Sequence, residues 1–369
     1  MIRLAAPTFD AADRERIDAI LDSGMLVQGA NVAHFESQLT AYIGAPTLAV
    51  SSGTSALHLA VLALDLDPGT EVIVPAFTWP STAHVIVQAG LTPRFVDVDL
   101  DTFACTADGV EAAIGEATGA ILPVHLFGVP APIAAICALA DAHGLAVIED
   151  AACAIGCEVD GRALGAWGDL GCFSFHPRKV ITTGEGGAVS ATDDELHARV
   201  ESLRNHGQVR GQDGTTFEYA GLNYRLTEIG GALGIGEMER LDGILARRRA
   251  LGALYLDGLA SEPRVRVPGG YRDPAANFQA FCVEVDPDHR EAIMTGLRDR
   301  DVQCTFGTYA VTDQPVYIDR FDVDPMAFPN ARRLARRLLA LPLHPGMSDD
   351  DVATVVSTLG EVLDAVGLG

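Results

Sequence analysis

The chain has 369 residues, 48% hydrophobic and 21% charged, enough to build a large buried core, and the length suits about two domains. Fifty acidic residues against 26 basic ones give a net charge of -24, which disfavours nucleic acid and anionic membrane surfaces as partners. The opening MIRLAAPTFDAADRERID turns polar too early for a secretory signal, and no apolar run approaches the ~20 residues of a membrane span, so a cytoplasmic protein is expected.

In chain order, SALHLAVLAL (55–64) reads as a helix and VIVP (72–75), RFVDVD (94–99) and AILPVHL (120–126) as buried strands. The helical PIAAICALADAHG (132–144) precedes further strands at LAVIED (145–150), CFSF (172–175) and GAVSA (187–191). This alternation predicts an α/β domain with a mostly parallel central sheet covered by helices on both faces. A long helix follows at about 227–260. NFQAFCVEVD (277–286), REAIMTGLRDRDVQCTF and a terminal helix from Asp349 predict a smaller C-terminal α/β unit. The division is placed near residue 250, giving units 1–250 and 251–369. RRLARRLL (332–339) reads as a solvated amphipathic helix. The seven cysteines include no CxxC pair and the ten histidines no HExxH, so reduced thiols and no metal are expected.

Three constellations point to chemistry. In VSSGTSALHLAV (50–61), Gly53, Thr54 and Ser55 open a helix whose unpaired amides suit a phosphate; an ordinary Ser/Thr cap is the alternative. VIEDAACAIG (147–156) ends a buried strand on Glu149 and Asp150, where an acid either faces a ligand or caps a helix after the strand. GCFSFHPRKVITTGEGGAVSA (171–191) sets Lys179 between two strands before a glycine-rich GEGG, as a partly desolvated nucleophile or as a surface lysine. GALGIG (231–236) sits inside a helical pattern rather than at a strand-to-helix turn, so close helix packing explains it better than a nucleotide loop.

These segments occur with others in a fixed order: GANVAHFESQLTAYIG, SSGTSALHLA, VIVPAFTWPSTAH, PVHLFGVP, VIEDAACAIG, SFHPRKVITTGEGG, GLNYRLTEIGGALG and LALPLHP. The series resembles the DegT/DnrJ/EryC1/StrS family of sugar aminotransferases dependent on pyridoxal 5'-phosphate (PLP), across nearly the whole chain. The resemblance implies the PLP-dependent aminotransferase fold type I. It implies Lys179 as the residue that links to PLP and later shuttles the proton, and Asp150 as partner of the pyridine nitrogen. It further implies Gly53, Thr54, Ser55 and Ser174 at the phosphate, Trp79 on the pyridine ring, and Asn223 reaching the phosphate of a neighbouring subunit in a homodimer. His176 and Tyr309 are candidates for substrate contact. Cys153 stands where relatives often carry Gln near the ring hydroxyl, and a thiol is a weaker hydrogen-bond partner. No role is carried to His84, where relatives often have Asn.

Because Lys179 is kept where some relatives have histidine and act as dehydrases, amino transfer is expected. The implied donor is glutamate or glutamine. The implied acceptor is a nucleotide-linked keto sugar, aminated at carbon four of a 4-keto-6-deoxyhexose on the strength of the ITTGEGG ending. Amination at carbon three, a keto-cyclitol acceptor, and a non-catalytic PLP-binding regulatory role are the alternatives.

Overall fold

The computed structural model describes residues 1–212 and 214–368. Its centre is a seven-stranded sheet built from β1 (Thr47–Val50), β2 (Glu71–Pro75), β3 (Thr92–Val96), β4 (Thr118–Ile121), β5 (Ala146–Asp150), β6 (Leu170–Ser174) and β7 (Gly187–Ala191). The spatial order is β1-β7-β6-β5-β4-β2-β3. Strands β6, β5, β4, β2 and β3 run parallel, and β7 runs antiparallel to both β6 and β1. The α/β architecture with a mostly parallel sheet is therefore as the residue pattern implies.

Side-chain alternation along the strands divides the core in two, because successive residues of a strand face opposite sides. Leu48, Val50, Val72, Val74 and Cys172 pack on one face with the helix Gly53–Ala63. Ala49, Ile73, Val147 and Phe173 pack on the other with Val32, Phe35 and Leu39 of the helix Ala30–Ile43. With both faces covered, the strands lack a polar side, which is why they read as short continuous apolar runs.

Several sequence expectations shift at their edges. The strand expected over 94–99 ends at Val96, and that over 120–126 ends at Ile121. The helix expected through 339 stops at Arg337, and Leu338–Leu341 instead form the middle strand of a small antiparallel sheet. Phe281–Glu284 and Thr305–Phe306 pair on its two sides, so all four residues are buried and the backbone hydrogen bonds favour a strand.

The helix Glu228–Gly258 runs through residue 250, packing against Ala30–Ile43 and against the terminal helix Asp349–Ala365. Its first-turn Glu228 reaches back to the start of Ala30–Ile43, accepting from the amides of Gly29 (2.7 Å), Asn31 (3.0 Å) and Val32 (3.1 Å). These are the orphan donors of a helix N-terminus, here supplied with one distant carboxylate. Other long-range ties run to the first part of the chain: Ile2 bridges to Val302, and Tyr309–Ala310 pairs with Phe77–Thr78. No helix among the described residues is long and apolar enough to cross a membrane.

Candidate active site

The carboxyl ends of β1, β2, β5 and β6 share one edge of the sheet, where an open α/β fold leaves its crevice. A cavity of about 470 Å³ lies there, lined by Ser52, Gly53, Thr54, Trp79, Asp150, Cys153, Ser174, His176 and Lys179. Leu4, Gln279, Thr308 and Leu341 close it from the N-terminal segment and the C-terminal third.

Ser52 caps the helix that follows β1, its Oγ accepting from the Ser55 amide at 3.0 Å. The helix's first two amides, of Gly53 and Thr54, have no acceptor among the described residues, so their partial positive charge faces the cavity. Gly53 is required by space rather than by dihedral angle: a Cβ there would stand 2.7 Å from the Ser174 Cβ. The close approach sets the helix start against the end of β6, which suits an anion such as phosphate. Ser55 lies behind this surface. Its Oγ is 2.9 Å from Ser51 Oγ and 2.7 Å from Ser52 Oγ, and it does not line the cavity.

The paired acids at the end of β5 separate, as alternation requires. Glu149 turns away from the cavity and accepts from the amides of Gly165 (2.9 Å), Trp167 (2.6 Å) and Gly168 (2.8 Å) and from His125 Nε2 (3.0 Å). The Ala131 amide donates to His125 Nδ1 at 3.0 Å, so the ring proton sits on Nε2. Asp150 faces the cavity. Its Oδ2 accepts from Thr82 Oγ1 at 2.8 Å and its Oδ1 from the Ala152 amide at 3.2 Å. Burial pushes the Asp150 carboxyl above the usual range, opposed by the Thr82 hydrogen bond and the Lys179 charge. A cation placed against this acid would offset the cost of burying it, which fits a protonated ring nitrogen.

Lys179 rises from the loop between β6 and β7. The loop is closed like a hairpin, with Ser174 paired to Gly187 and the Phe175 amide donating to Gly186 at 2.9 Å. Its Nζ donates to Cys153 Sγ at 3.1 Å. His176 is half-buried, and desolvation holds its imidazole below the usual value, so it is neutral near pH 7. Trp79 is 59% exposed at the rim, its ring 5.7 Å from Tyr309, which stands beside the cavity rather than in its lining. Asn223 is exposed and is not a lining residue either. His84 stacks on Tyr317 with centroids 5.9 Å apart.

Sequence reasoning missed Thr82, Arg178, Gln279 and Thr308. Thr82 had a visible signal, standing three residues after Trp79 in the segment that follows β2. Arg178 also had one, standing directly before Lys179, whereas Gln279 and Thr308 reach the cavity only through tertiary folding, so spacing along the chain carries no sign of them.

The model of the DegT/DnrJ/EryC1/StrS aminotransferase family matches residues 7–360. The chain belongs to that family. A UDP-N-acetyl-3-dehydro-alpha-D-glucosamine 3-aminotransferase from Acidithiobacillus ferrooxidans is 37% identical, covering 94% of this chain and 92% of its own. The GDP-perosamine synthase of Vibrio cholerae is 31% identical, with 99% and 100% covered. The solved PLP-form of Spr1654 from Streptococcus pneumoniae superposes with a TM-score of 0.91 at 26% identity, covering 99% of both chains. As a member of this family the chain is an aminotransferase, and PLP is the family's expected cofactor.

Proposed function

We propose that this aminotransferase binds PLP in the 470 Å³ cavity and moves an amino group from glutamate or glutamine to a nucleotide-linked keto sugar. The observation that carries the reading is the convergence of Lys179, Asp150 and the Ser52–Thr54 helix start on that one cavity. Bound PLP supplies the electron sink that stabilises negative charge at the carbon losing its proton. Asp150 holds the ring nitrogen protonated, with Thr82 fixing the carboxylate. The amides of Gly53 and Thr54 hold the phosphate, with the hydroxyls of Thr54 and Ser174; Ser55 supports them from behind through Ser52. Trp79 covers the ring, and Cys153 receives the Lys179 amine. Lys179 Nζ would be the group that moves the proton at the substrate carbon. His176 and Tyr309 are the candidates for contact with the sugar.

The exposed Asn223 and the exposed apolar side chains of Leu222 and Phe217 support a homodimer in which Asn223 completes a neighbour's phosphate site. A cytoplasmic setting follows from the substrate class proposed. We further propose the units 1–250 and 251–369, joined by the continuous helix Glu228–Gly258, with the cavity lined from both.

For the acceptor, the ITTGEGG ending favours amination at carbon four. The 37% identity to an enzyme named for a 3-dehydro sugar favours carbon three as the second reading. Purified protein is incubated with PLP and examined for a visible absorption band that borohydride abolishes; its absence overturns the cofactor assignment. Amino transfer from glutamate to 4-keto and 3-keto nucleotide sugars is then followed by mass spectrometry. Product from one keto sugar alone assigns the carbon, and product from neither removes the nucleotide-sugar reading.

A further inference from the structure

A buried tripeptide from the C-terminal third touches both loops that carry the reactive side chains. Asn277 is fully buried; its Nδ2 donates to the carbonyls of Cys153 (3.0 Å) and Ile155 (2.9 Å), and its Oδ1 accepts from the Gln279 amide at 2.8 Å. Gln279, 9% exposed, sends its Nε2 to the carbonyl of Arg178 at 2.8 Å, one residue before Lys179. Between them Phe278 adopts φ +54°, a left-handed conformation that a bulky L residue rarely takes. That turn lets its two neighbours reach different loops. The partner surface is shaped to admit it: a Cβ at Gly128 would stand 1.8 Å from Asn277 Oδ1, and one at Gly252 would stand 2.3 Å from the Phe278 ring.

Beneath the tripeptide lies Arg248, 3% exposed, on the long helix. Its Nη1 donates to the carbonyls of Phe278 (3.0 Å), Gln279 (3.2 Å) and Leu343 (3.2 Å). Its Nη2 reaches the Lys179 carbonyl at 3.5 Å, the long limit of a hydrogen bond. No carboxylate lies within ion-pair distance of it among the described residues. Burial lowers its pKa to about 10, which leaves it cationic at neutral pH. A buried guanidinium whose Nη groups meet only carbonyls, whose Nε has no partner among the described residues and whose facing charge, Glu237, lies beyond ion-pair distance is costly, and an apolar residue would fill the same volume without that cost. What the charge provides is a rigid multiple donor that converges on the lysine loop, the tripeptide and Leu343 of the cavity wall.

We infer that Asn277, Gln279 and Arg248 form a clasp of positioning residues that sets the reach of the Lys179 amine across the cavity relative to Cys153. The inference rests on the aminotransferase reading of the cavity. Proton transfer is sensitive to displacements of about 1 Å, so loosening the lysine loop slows turnover before it weakens binding.

The test compares full-length Gln279→Leu holoenzyme with wild type, and Arg248→Lys with Arg248→Met. Gln279→Leu is expected to keep its cofactor content, with the KM for glutamate within about threefold, while kcat falls by about 10- to 100-fold. The pH at which the visible lysine–cofactor band titrates is expected to move. Arg248→Lys is expected to recover part of the kcat lost in Arg248→Met. Gln279→Leu with wild-type kcat and an unmoved titration midpoint overturns the clasp. So does a kcat loss matched by an equal loss of bound cofactor, which marks a structural role only. If the Arg248 variants do not fold, Gln279→Leu decides alone. If wild-type protein takes up no PLP, it is the cofactor reading of the cavity that fails; a crystal structure of Gln279→Leu then decides the clasp, which an Nζ–Sγ separation still at 3.1 Å overturns.

Discussion

Lys179 Nζ donates to Cys153 Sγ at 3.1 Å, so the proposed nucleophile touches the residue that stands where relatives often carry Gln. A thiol is a weak acceptor, and even an ordinary hydrogen bond is worth only about 0.5–1.5 kcal/mol net. Cys153→Ala is therefore expected to change kcat by less than about tenfold in steady-state assays. A larger loss would mean that the sulfur takes part in the proton transfer itself.

Lys179→Ala removes the proposed proton carrier. Turnover of glutamate is expected to fall by about 10²- to 10⁴-fold, and borohydride should no longer fix cofactor to the protein. Stopped-flow spectra of the glutamate half-reaction check the first point and mass spectrometry of the reduced protein the second. Retained turnover would remove the base assignment.

Asp150 gives a pH test with a definite sign. Its folded-state pKa is raised by burial, so the folded protein without cofactor holds that proton more tightly than the unfolded chain does. The acid therefore costs nothing below the ordinary carboxylate range, and stability is lost as pH rises through the raised value. The Tm of cofactor-free wild type minus that of Asp150→Asn is expected to shrink as pH rises from about 4 to 8. A difference that grows over this range would contradict the raised pKa. With PLP added, the ranking should favour wild type.

Gly53→Ala would push a methyl against Ser174 Cβ, 2.7 Å away. Overpacking of this kind costs about 1–3 kcal/mol, and here it would also widen the proposed phosphate cradle. Urea unfolding measures the first effect and PLP titration the second. Unchanged PLP affinity would place the phosphate elsewhere.

Glu228 is a structural counterpart to these site residues. Burial alone would raise its pKa, but hydrogen bonds from Asn31, Val32 and Gly29 outweigh that and hold it below the usual carboxylate range. Its contribution is therefore present above that range and lost as pH falls through the lowered value. Glu228→Ala is expected to cost about 2–4 kcal/mol in urea denaturation, from several charge-assisted bonds lost at once.

Much of this was legible in the residues. Short Val- and Ile-rich runs between helices gave the sheet, because strands buried on both faces need no alternation. Asp150 and Gly53 stand at a strand end and a helix start, and Lys179 in a loop between two strands before GEGG, but each pattern alone fits a bland reading as well; the ordered family motifs made them candidates. The fates of Glu149 and Asp150 were not separable by composition; only strand alternation sends one to the Gly165–Gly168 loop and the other to the cavity. The strand Leu338–Leu341 was hidden because its Leu residues continue the helical spacing of the arginines before it. Its pairing partners lie more than thirty residues away in sequence. Gln279 and Arg248 left no signal for the same reason.

The hairpin closure of the lysine loop bears on how this enzyme could diversify. Because β6 and β7 return to each other at Ser174 and Gly187, the loop that carries the lysine is tethered at both ends. The cavity's opposite wall comes from separate pieces of the C-terminal third, around Thr305–Thr308 and Ala340–Leu343. Substitutions around Thr305–Thr308 can reshape the space facing the lysine without touching the bonds of its loop, whereas Leu343 shares Arg248 with the Lys179 carbonyl. The lysine side of the crevice is thus held while the Thr305–Thr308 side is open to change, and a different acceptor can be accommodated without re-inventing the chemistry.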